Sequence, residues 1–428
     1  MSVNRHVVIV DSYAPTNMGR GRLLQEFRDA GYPCVRVQSS PEVPTLFRSS
    51  LIPDGYAASI VHDGDLEATV RAITDYQPVA VVPGSEVGVE FADMLSEALD
   101  LPTNGTTLSS ARRDKFRMIE TIKAAGVRGA EQLLVESEIQ LTTWHREIGD
   151  RIVVKPIRGA AGAGVFFCDY PEEAVRAYRE LLGSGNVFTA HNEAIVAQEY
   201  HLGTEYMVNT VSRDGHHHVC DIWKTSRITA NGVLDLCDGV VLLAREGDVQ
   251  EELVRYAYQV LDALGIRHGP AHLEIKLTPK GPRLVEVGAR IVGGDLSHCA
   301  RIGLGESQVE WTVDAYVRPK RFFERYADNY RLQSNFASVA LISPYEGTLV
   351  GYPHLDTLKS LESVHEVRML VKPGEHISRT VDDVTYPIIV NLRHDVEEVV
   401  LRDFGTIRYL DGTDFYRVAE PGPAASGR

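Results

Sequence analysis

Lys155 closes an apolar run, Ile152-Val153-Val154, just ahead of a loop of small residues, Gly159-Ala160-Ala161-Gly162-Ala163-Gly164. A second apolar run, Val165-Phe166-Phe167, follows. Glycine and alanine let backbone N–H groups close around phosphate oxygens without side-chain interference, and Lys155 supplies a fixed cation beside them. A Walker A loop would end in Gly-Lys-Ser/Thr and feed a helix; this segment does neither. It reads as a strand–loop–strand cover for a nucleotide, set against the plainer alternative of a flexible hairpin with a surface lysine.

A second segment, Gly269-Pro270-Ala271-His272-Leu273-Glu274-Ile275-Lys276-Leu277, turns at Thr278-Pro279-Lys280-Gly281 and returns through Arg283-Leu284-Val285-Glu286-Val287-Gly288-Ala289-Arg290. Alternation puts His272, Glu274 and Lys276 on one face, and Glu286, Gly288 and Arg290 on one face of the returning strand. In a hairpin centred on Lys280, Glu274 lies opposite Glu286 with β-carbons about 4.5–5.5 Å apart. Carboxylates that close repel unless a cation lies between them, and magnesium carrying nucleotide phosphates would fill the gap. Arg290 could hold a transferring phosphoryl group or a developing carboxylate charge. The alternative is an exposed acidic pair on a solvated hairpin.

A third segment, Val196-Ala197-Gln198-Glu199-Tyr200-His201-Leu202-Gly203-Thr204-Glu205, is a strand that breaks at Gly203 and resumes. Such a break exposes backbone groups suited to an adenine edge and a carboxylate suited to ribose hydroxyls; taken alone it is a plain strand–turn–strand. Glu86, after Pro83-Gly84-Ser85, opens a helix, where the macrodipole favours an acid whatever the substrate. His272 has a competing reading as a hydrogen-bonded core histidine. His216-His217-His218 follows the Asp214-Gly215 turn and is expected at a solvated hairpin tip, with no partner cysteine or spaced histidine nearby to make a metal site.

The elements that must position these residues change character along the chain. The first third alternates apolar strands (His6–Ser12, Cys34–Val37, Val79–Val82) with helical stretches (Arg22–Ala30, Leu66–Tyr76, Val87–Leu99), the pattern of parallel βαβ units. Ligands gather at the carboxyl ends of such strands. Gly19-Arg20-Gly21 does not complete a dinucleotide fingerprint, because Leu24 stands where the last glycine belongs. From Arg113 the chain is expected to hold a helix to Ala125, hairpins at Asp214-Gly215 and Pro279-Lys280, and helices over Pro171–Leu182 and Val249–Leu264. After Arg318-Pro319-Lys320 strands alternate with little helix (Phe336–Ile342, Val367–Val371, Pro387–Leu392), and the Pro/Gly-rich tail from 421 to 428 is expected to be disordered.

The 428 residues are enough for about three domains. A net charge of −15 argues against a body-wide nucleic-acid footprint, and no stretch approaches the ~20 apolar residues of a membrane span. Five scattered cysteines with no knuckle spacing suit a reducing cytoplasm.

The order Lys115, Lys155 with its glycine loop, Gln198-Glu199 with Glu205, Glu274, then Glu286-x-x-x-Arg290 resembles the ATP-grasp superfamily of carboxylate–amine ligases. Pro83-Gly84-Ser85-Glu86, Arg113-Asp114-Lys115, the run from Gly269 to Glu274 and Glu286-Val287-Gly288-Ala289-Arg290 look most like its branch of L-amino acid ligases, which join two amino acids into a dipeptide. The resemblance covers nearly the whole chain. It implies an α/β fold, in part α+β, with a Rossmann-like pre-ATP-grasp domain at 1–112 and the ATP-grasp domain at 113–317. The latter would have its lid at about 113–195 and its core at about 196–317, followed by a small strand-rich domain at 318–420. It implies that Lys115, Lys155 and the loop from Gly159 through Ala160, Ala161, Gly162 and Ala163 to Gly164 contact ATP phosphates. Gln198, Glu199 and Tyr200 would line the adenine hinge, and Glu205 would hold the ribose. Glu274 and Glu286 would bind magnesium, with manganese as a substitute. Arg290 and His272 would be catalytic, and Glu86, His272, Arg290, Gly293 and Gly294 would face the substrates.

The implied reaction phosphorylates a carboxylate to an acyl phosphate, which an amine attacks, releasing ADP and phosphate. Partners would be small amino acids, with no nucleic acid or membrane, and a homodimer is compatible. Alternatives are a grasp-fold ligase for another carboxylate or amine, or a nucleotide-binding regulator without turnover. One departure stands out: where many ATP-grasp enzymes carry an asparagine two residues after the second metal carboxylate, this chain has Gly288.

Overall fold

The computed structural model describes residues 5–13, 21–44, 47, 54–159, 162–185, 192 and 194–419. Gly19 and Arg20, Ala160 and Ala161, and the tail expected at 421–428 lie outside the described residues. Compactness divides the chain into two units, one of residues 1–222, 244–301 and 306–331, the other of 223–243, 302–305 and those from 332 on.

In the first unit the early apolar runs form a parallel sheet in the order β3-β2-β1-β4, from β1 (His6–Val10), β2 (Cys34–Gln38), β3 (Ala58–Val61) and β4 (Pro78–Pro83). β1 is buried along its whole length, as a strand covered on both faces must be. Val7 and Ile9 pack with Leu23 and Phe27 of α1 (Gly21–Asp29). Val8 and Val10 pack with Ile73 of α2 (Leu66–Thr74) and Leu95 of α3 (Val89–Ala98). The helix expected from Val87 begins as a 3-10 turn over Glu86–Gly88. A Cβ on Gly84 would lie 2.7 Å from Ser12 Cα, so only glycine lets the chain leave β4 this close to the end of β1 and deliver Glu86 there.

After α4 (Lys115–Ala124) comes an antiparallel sheet in the order β5-β8-β6-β7, made of β5 (Gln132–Leu134), β6 (Ile152–Pro156), β7 (Phe166–Cys168) and β8 (Ile195–Glu199). Ile152, Val154, Ile195 and Ala197 bury one face against Leu141 of α5 (Glu138–Ile148) and Ala177 and Leu181 of α6 (Pro171–Leu182). The two-residue period then turns Lys155 to the other face.

The chain resumes in β9 (Thr204–Arg213) and β10 (His216–Ala230), joined through Asp214 and Gly215 at φ +52° and +81°, the doubly positive turn that matches strand twist. β10 belongs to the first unit as far as Ile222 and to the second from Trp223, where β11 (Val233–Leu242) continues. Back in the first unit, α7 (Asp248–Ala263) leads to β12 (Gly269–Thr278), which pairs with β9 and with β13 (Gly281–Gly288). The segments α8 (Leu296–Leu304), α9 (Gln308–Val317) and α10 (Pro319–Arg325) follow.

In the second unit, β11 pairs with β14 (Asn335–Ala340). After β15 (Gly347–Gly351), α11 (Leu355–Lys359), β16 (Val364–Met369) and β17 (His376–Ile377) comes β18 (Ile388–His394), which pairs with both β14 and β16. This region holds more helix than expected. α12 (Glu397–Leu410) precedes the short closing strand β19 (Arg417–Val418) and buries Val400 and Ile407 in the unit's core. Val399, Val400, Thr406 and Ile407 are β-branched and Gly405 is mid-helix, so propensity opposes the helix and packing overrides it.

Candidate functional site

The β12–β13 hairpin sets Glu274 directly opposite Glu286. Its turn pairs Thr278 with Gly281, half a residue short of a centre on Lys280, and a register shift between Glu274 and Ile275 corrects the difference. Val285 is the extra residue of this bulge. Asp114 caps α4 by accepting from the backbone N–H of Phe116 and Arg117, which fixes Lys115 as the first helical residue. From there Lys115 Nζ donates to Glu286 Oε1 at 3.1 Å and to the Gly159 carbonyl at 3.0 Å. Lys155 is buried on the same cluster. Burial first, and then Lys115, push its pKa down to about 8, against the pull of Glu286, Glu274 and Glu205.

The facing carboxylates are the donor set that magnesium takes when phosphate oxygens and water complete its shell. Among the described residues no group of three His, Cys, Asp or Glu forms a closed protein cage. The facing pair of Glu274 and Glu286 fits a magnesium ion that takes its remaining ligands from nucleotide phosphates and water.

Glu86 is not a solvated first-turn acid. It is buried, with Oε2 2.8 Å from Arg290 Nε and Oε1 3.5 Å from Arg113, and the Arg113 guanidinium also donates to its backbone carbonyl. Burial pushes the Glu86 carboxyl up, but Arg290, Arg113 and Lys115 together outweigh it and hold it below the usual carboxylate range. Arg290 lies past the end of β13, not on its ladder. A Cβ on Gly288 would stand 2.9 Å from Glu86 Oε2 and 3.1 Å from Arg290 Cζ. The missing asparagine thus has a cause, since its side chain would take the place of this ion pair. Gly293 and Gly294 lie in the turn beyond, Gly294 at φ +62°.

At the strand break, Gln198 donates to Gln132 Oε1 and Glu199 Oε1 accepts from the Glu131 backbone N–H, so both side chains are engaged with the β5 side. Tyr200 N–H bonds the Arg151 carbonyl, and Lys276 Nζ sits 4.6 Å from the centre of the Tyr200 ring. Glu205 is buried and faces Lys276 across the β9–β12 ladder. Burial, reinforced by Arg283, Lys155 and Lys276, pushes His201 down to about 4, so it is neutral at pH 7. In the glycine loop, Gly162 and Gly164 take φ +72° and +74°, and Ala163 lies between them. Arg158, just before the loop, makes a two-pronged bond to Glu90 at 3.0 and 2.9 Å.

His272 is a hydrogen-bonded buried histidine that also reaches the site: Nδ1 bonds Asn209 Oδ1 at 2.8 Å and Nε2 stands 3.4 Å from Glu274 Oε1. His216-His217-His218 departs from the expected solvated tip. Only His216 is exposed. His217 bonds Ser212 and Asp262, and His218 stacks on Trp311 at 3.5 Å, because β10 continues straight past the turn. Sequence reasoning passed over Asn209, Asp221, Glu90 and Gln308, and took Arg113 only as part of the Arg113-Asp114-Lys115 motif, not as a partner of Glu86. Gln308 donates to the Thr210 and Ala271 carbonyls and accepts from Val292 N–H, tying the turn beyond Arg290 to β9 and β12. None of these carries a local signal.

The family model for the ATP-grasp domain matches residues 148–298. The chain is 29% identical over 424 residues to dapdiamide A synthase of Enterobacter agglomerans, covering 96% of this chain and 97% of that protein. It is 24% identical over 269 residues to the L-arginine-specific L-amino acid ligase of Bacillus subtilis, covering 61% of this chain and 62% of that one. Among solved structures, the L-amino acid ligase of Bacillus licheniformis superposes with a TM-score of 0.74 over 99% of this chain and 100% of its own, at 19% identity.

Proposed function

We propose, from the premise that this chain is an ATP-grasp ligase forming an amide or peptide bond with ATP, that both of its substrates are amino acids or amino-acid-like molecules. The observation that carries the reading is the convergence of Lys115, Lys155, Glu274 and Glu286 beside the glycine loop, with Glu86 and Arg290 paired next to them. Relatives named as amino acid ligases support the substrate class.

In this reading Lys115, Lys155 and the loop of Gly159, Gly162, Ala163 and Gly164 hold the ATP phosphates. Gln198, Glu199 and Tyr200 border the adenine through backbone groups, and Glu205 takes the ribose hydroxyls. Glu274 and Glu286 would hold magnesium, which supplies neutralising charge to the phosphates when bound. Arg290 steadies the carboxylate as it becomes an acyl phosphate, and Glu86 holds Arg290 in place until substrate arrives. Gly293 and Gly294 border the substrates. The chain's contribution is positioning and electrostatics, with the loop keeping water from the acyl phosphate. No side-chain nucleophile is needed, in keeping with cysteines that are all free and mostly buried.

The test is phosphate release with ATP and magnesium, screened over single and paired amino acids, with mass spectrometry of the products. Release that requires one pair and yields the dipeptide mass is the expected result. Release with no amino acid pair, but with another amine or carboxylate, would overturn the substrate class.

A further inference from the structure

Arg36 stands inside the parallel sheet of the first unit as a cation without an anion. It lies on β2 and is 6% exposed. Its Nε donates to Ser59 Oγ at 3.1 Å and its Nη2 to Gln38 Oε1 at 3.0 Å. Both partners are neutral. Nη1 is buried and meets no acceptor, and among the described residues no carboxylate stands at ion-pair distance from the guanidinium. The stretches 14–20, 45–46 and 48–53, which complete the chain between β1 and β3, contain no Asp or Glu. A guanidinium keeps its charge in a protein interior, and burying it unpaired is costly. One charge-assisted bond is therefore left to be made from outside the chain.

The place of that cation says what it would meet. Arg36 pairs with Ile9 on β1, so both point to one face of the sheet. Ile9 packs there with Ile291 and Val292, the two residues after Arg290. Burial raises the phenols of Tyr13 and Tyr56, and the Arg36 charge pulls both down. Their hydroxyls bond Asp11 and Ser12, past the carboxyl end of β1, where ligands of such sheets gather. β2 and β4 flank β1. Two spacings of about 4.8 Å put Arg36 about 10 Å across the sheet from the strand that delivers Glu86. One positive charge with one open nitrogen suits a monoanion; a phosphate dianion would stay half neutralised.

We propose that Arg36 forms a carboxylate subsite at the carboxyl end of the parallel sheet, and that one of the two joined molecules carries an acidic group about 10 Å from its reacting end. The substrate's part in this rests on the ligase reading above. The anion site does not.

The test is calorimetric binding without ATP, so that no turnover is needed. The probes are L-glutamate, L-2-aminosuberate and γ-L-glutamylglycine, each against its terminal amide. The two longer acids should bind about 10- to 150-fold more tightly than their amides, the worth of one charged hydrogen bond, and Arg36→Met should bind acid and amide alike. No preference for acid in the wild-type protein, or a preference that survives Arg36→Met, would overturn the proposal. Inorganic phosphate is the competing anion; binding of phosphate through Arg36 with none of the acids would overturn the carboxylate assignment.

Should Arg36→Met fail to fold, Ser59→Asp decides. Ser59 is exposed on β3, and the substitution sets a carboxylate beside Nε. A higher Tm and a lost preference for the acids are expected, and a preference that persists would overturn the proposal. Acids that bind through Arg36 yet never enter the product of a protein that ligates other pairs would overturn the substrate role. A protein that binds them through Arg36 and ligates no pair would sink the ligase reading and spare the subsite.

Discussion

At Lys155 burial and the Lys115 ammonium act in one direction, and the carboxylates of Glu286, Glu274 and Glu205 in the other; burial wins, and the ammonium titrates at about 8. Two consequences of opposite sign follow. ATP affinity should fall as pH rises through about 8, because the site loses a cation that phosphate would otherwise meet. The unfolded lysine titrates at about 10.4, so the unfolded chain holds the extra proton between those values. The group's destabilising contribution, complete below about pH 8, is therefore relieved as pH rises. Lys155→Met should bind ATP roughly 10- to 150-fold more weakly, the worth of a charged hydrogen bond at about 1.5–3 kcal/mol, and should lose the pH dependence. Calorimetric titration on either side of pH 8 checks both, and unchanged affinity would remove Lys155 from the site. Glu286 is tested by Glu286→Gln. The amide oxygen can still accept from Lys115, so the circular dichroism should stay native while kcat falls at least about 100-fold. Full activity in that variant would sink the metal assignment.

Elements hold these residues through a few close approaches, and two glycines show what each approach protects. A Cβ on Gly203 would run into the Leu277 carbonyl and stand 2.8 Å from its carbon, with Thr278 Cα at 3.1 Å. Those atoms are backbone of β12 and cannot yield without shifting the strand. Gly203→Ala should therefore lower stability by about 1–3 kcal/mol, read as a fall in Tm. At Gly288 the nearest atoms are the ends of Glu86 and Arg290, which can swing away. Gly288→Ala should fold normally and lose turnover by parting that ion pair, with ATP affinity little changed. Equal losses of stability in the two variants would contradict this distinction. The same scale marks what could be read in the sequence. Lys155 with its loop and the Glu274/Glu286 pair were legible because period-two alternation and turn chemistry are local. Asn209 and His272 meet across 63 positions, and Arg113 reaches Glu86 across 27. Such partners are chosen by ladder register and helix packing, and nothing beside them in the chain announces the meeting.

For the whole molecule the question is where the chain can be cut. The resemblance implies a boundary at Val317, with a small strand-rich domain beyond it. Yet the compact unit formed from residue 332 onward also takes in 223–243 and 302–305. β11 is hydrogen-bonded to β14 from Gly239↔Val339 to Val241↔Ala337, a pairing that joins residues about a hundred positions apart. Leu236 is buried with Ala340, Ile342 and Tyr386, and the Tyr386 hydroxyl donates to the Cys237 carbonyl at 2.6 Å. A chain ending at Val317 keeps β11 and loses every one of these partners. Its strand would present unpaired N–H and C=O groups beside exposed apolar side chains, the condition for edge-to-edge aggregation. Residues 1–317 should therefore aggregate or melt without a sharp transition, whereas 1–419 should melt cooperatively and bind ATP. A soluble, cooperatively melting 1–317 with full ATP affinity would show that 223–243 can fold without its sheet, and would support the boundary that the resemblance implies.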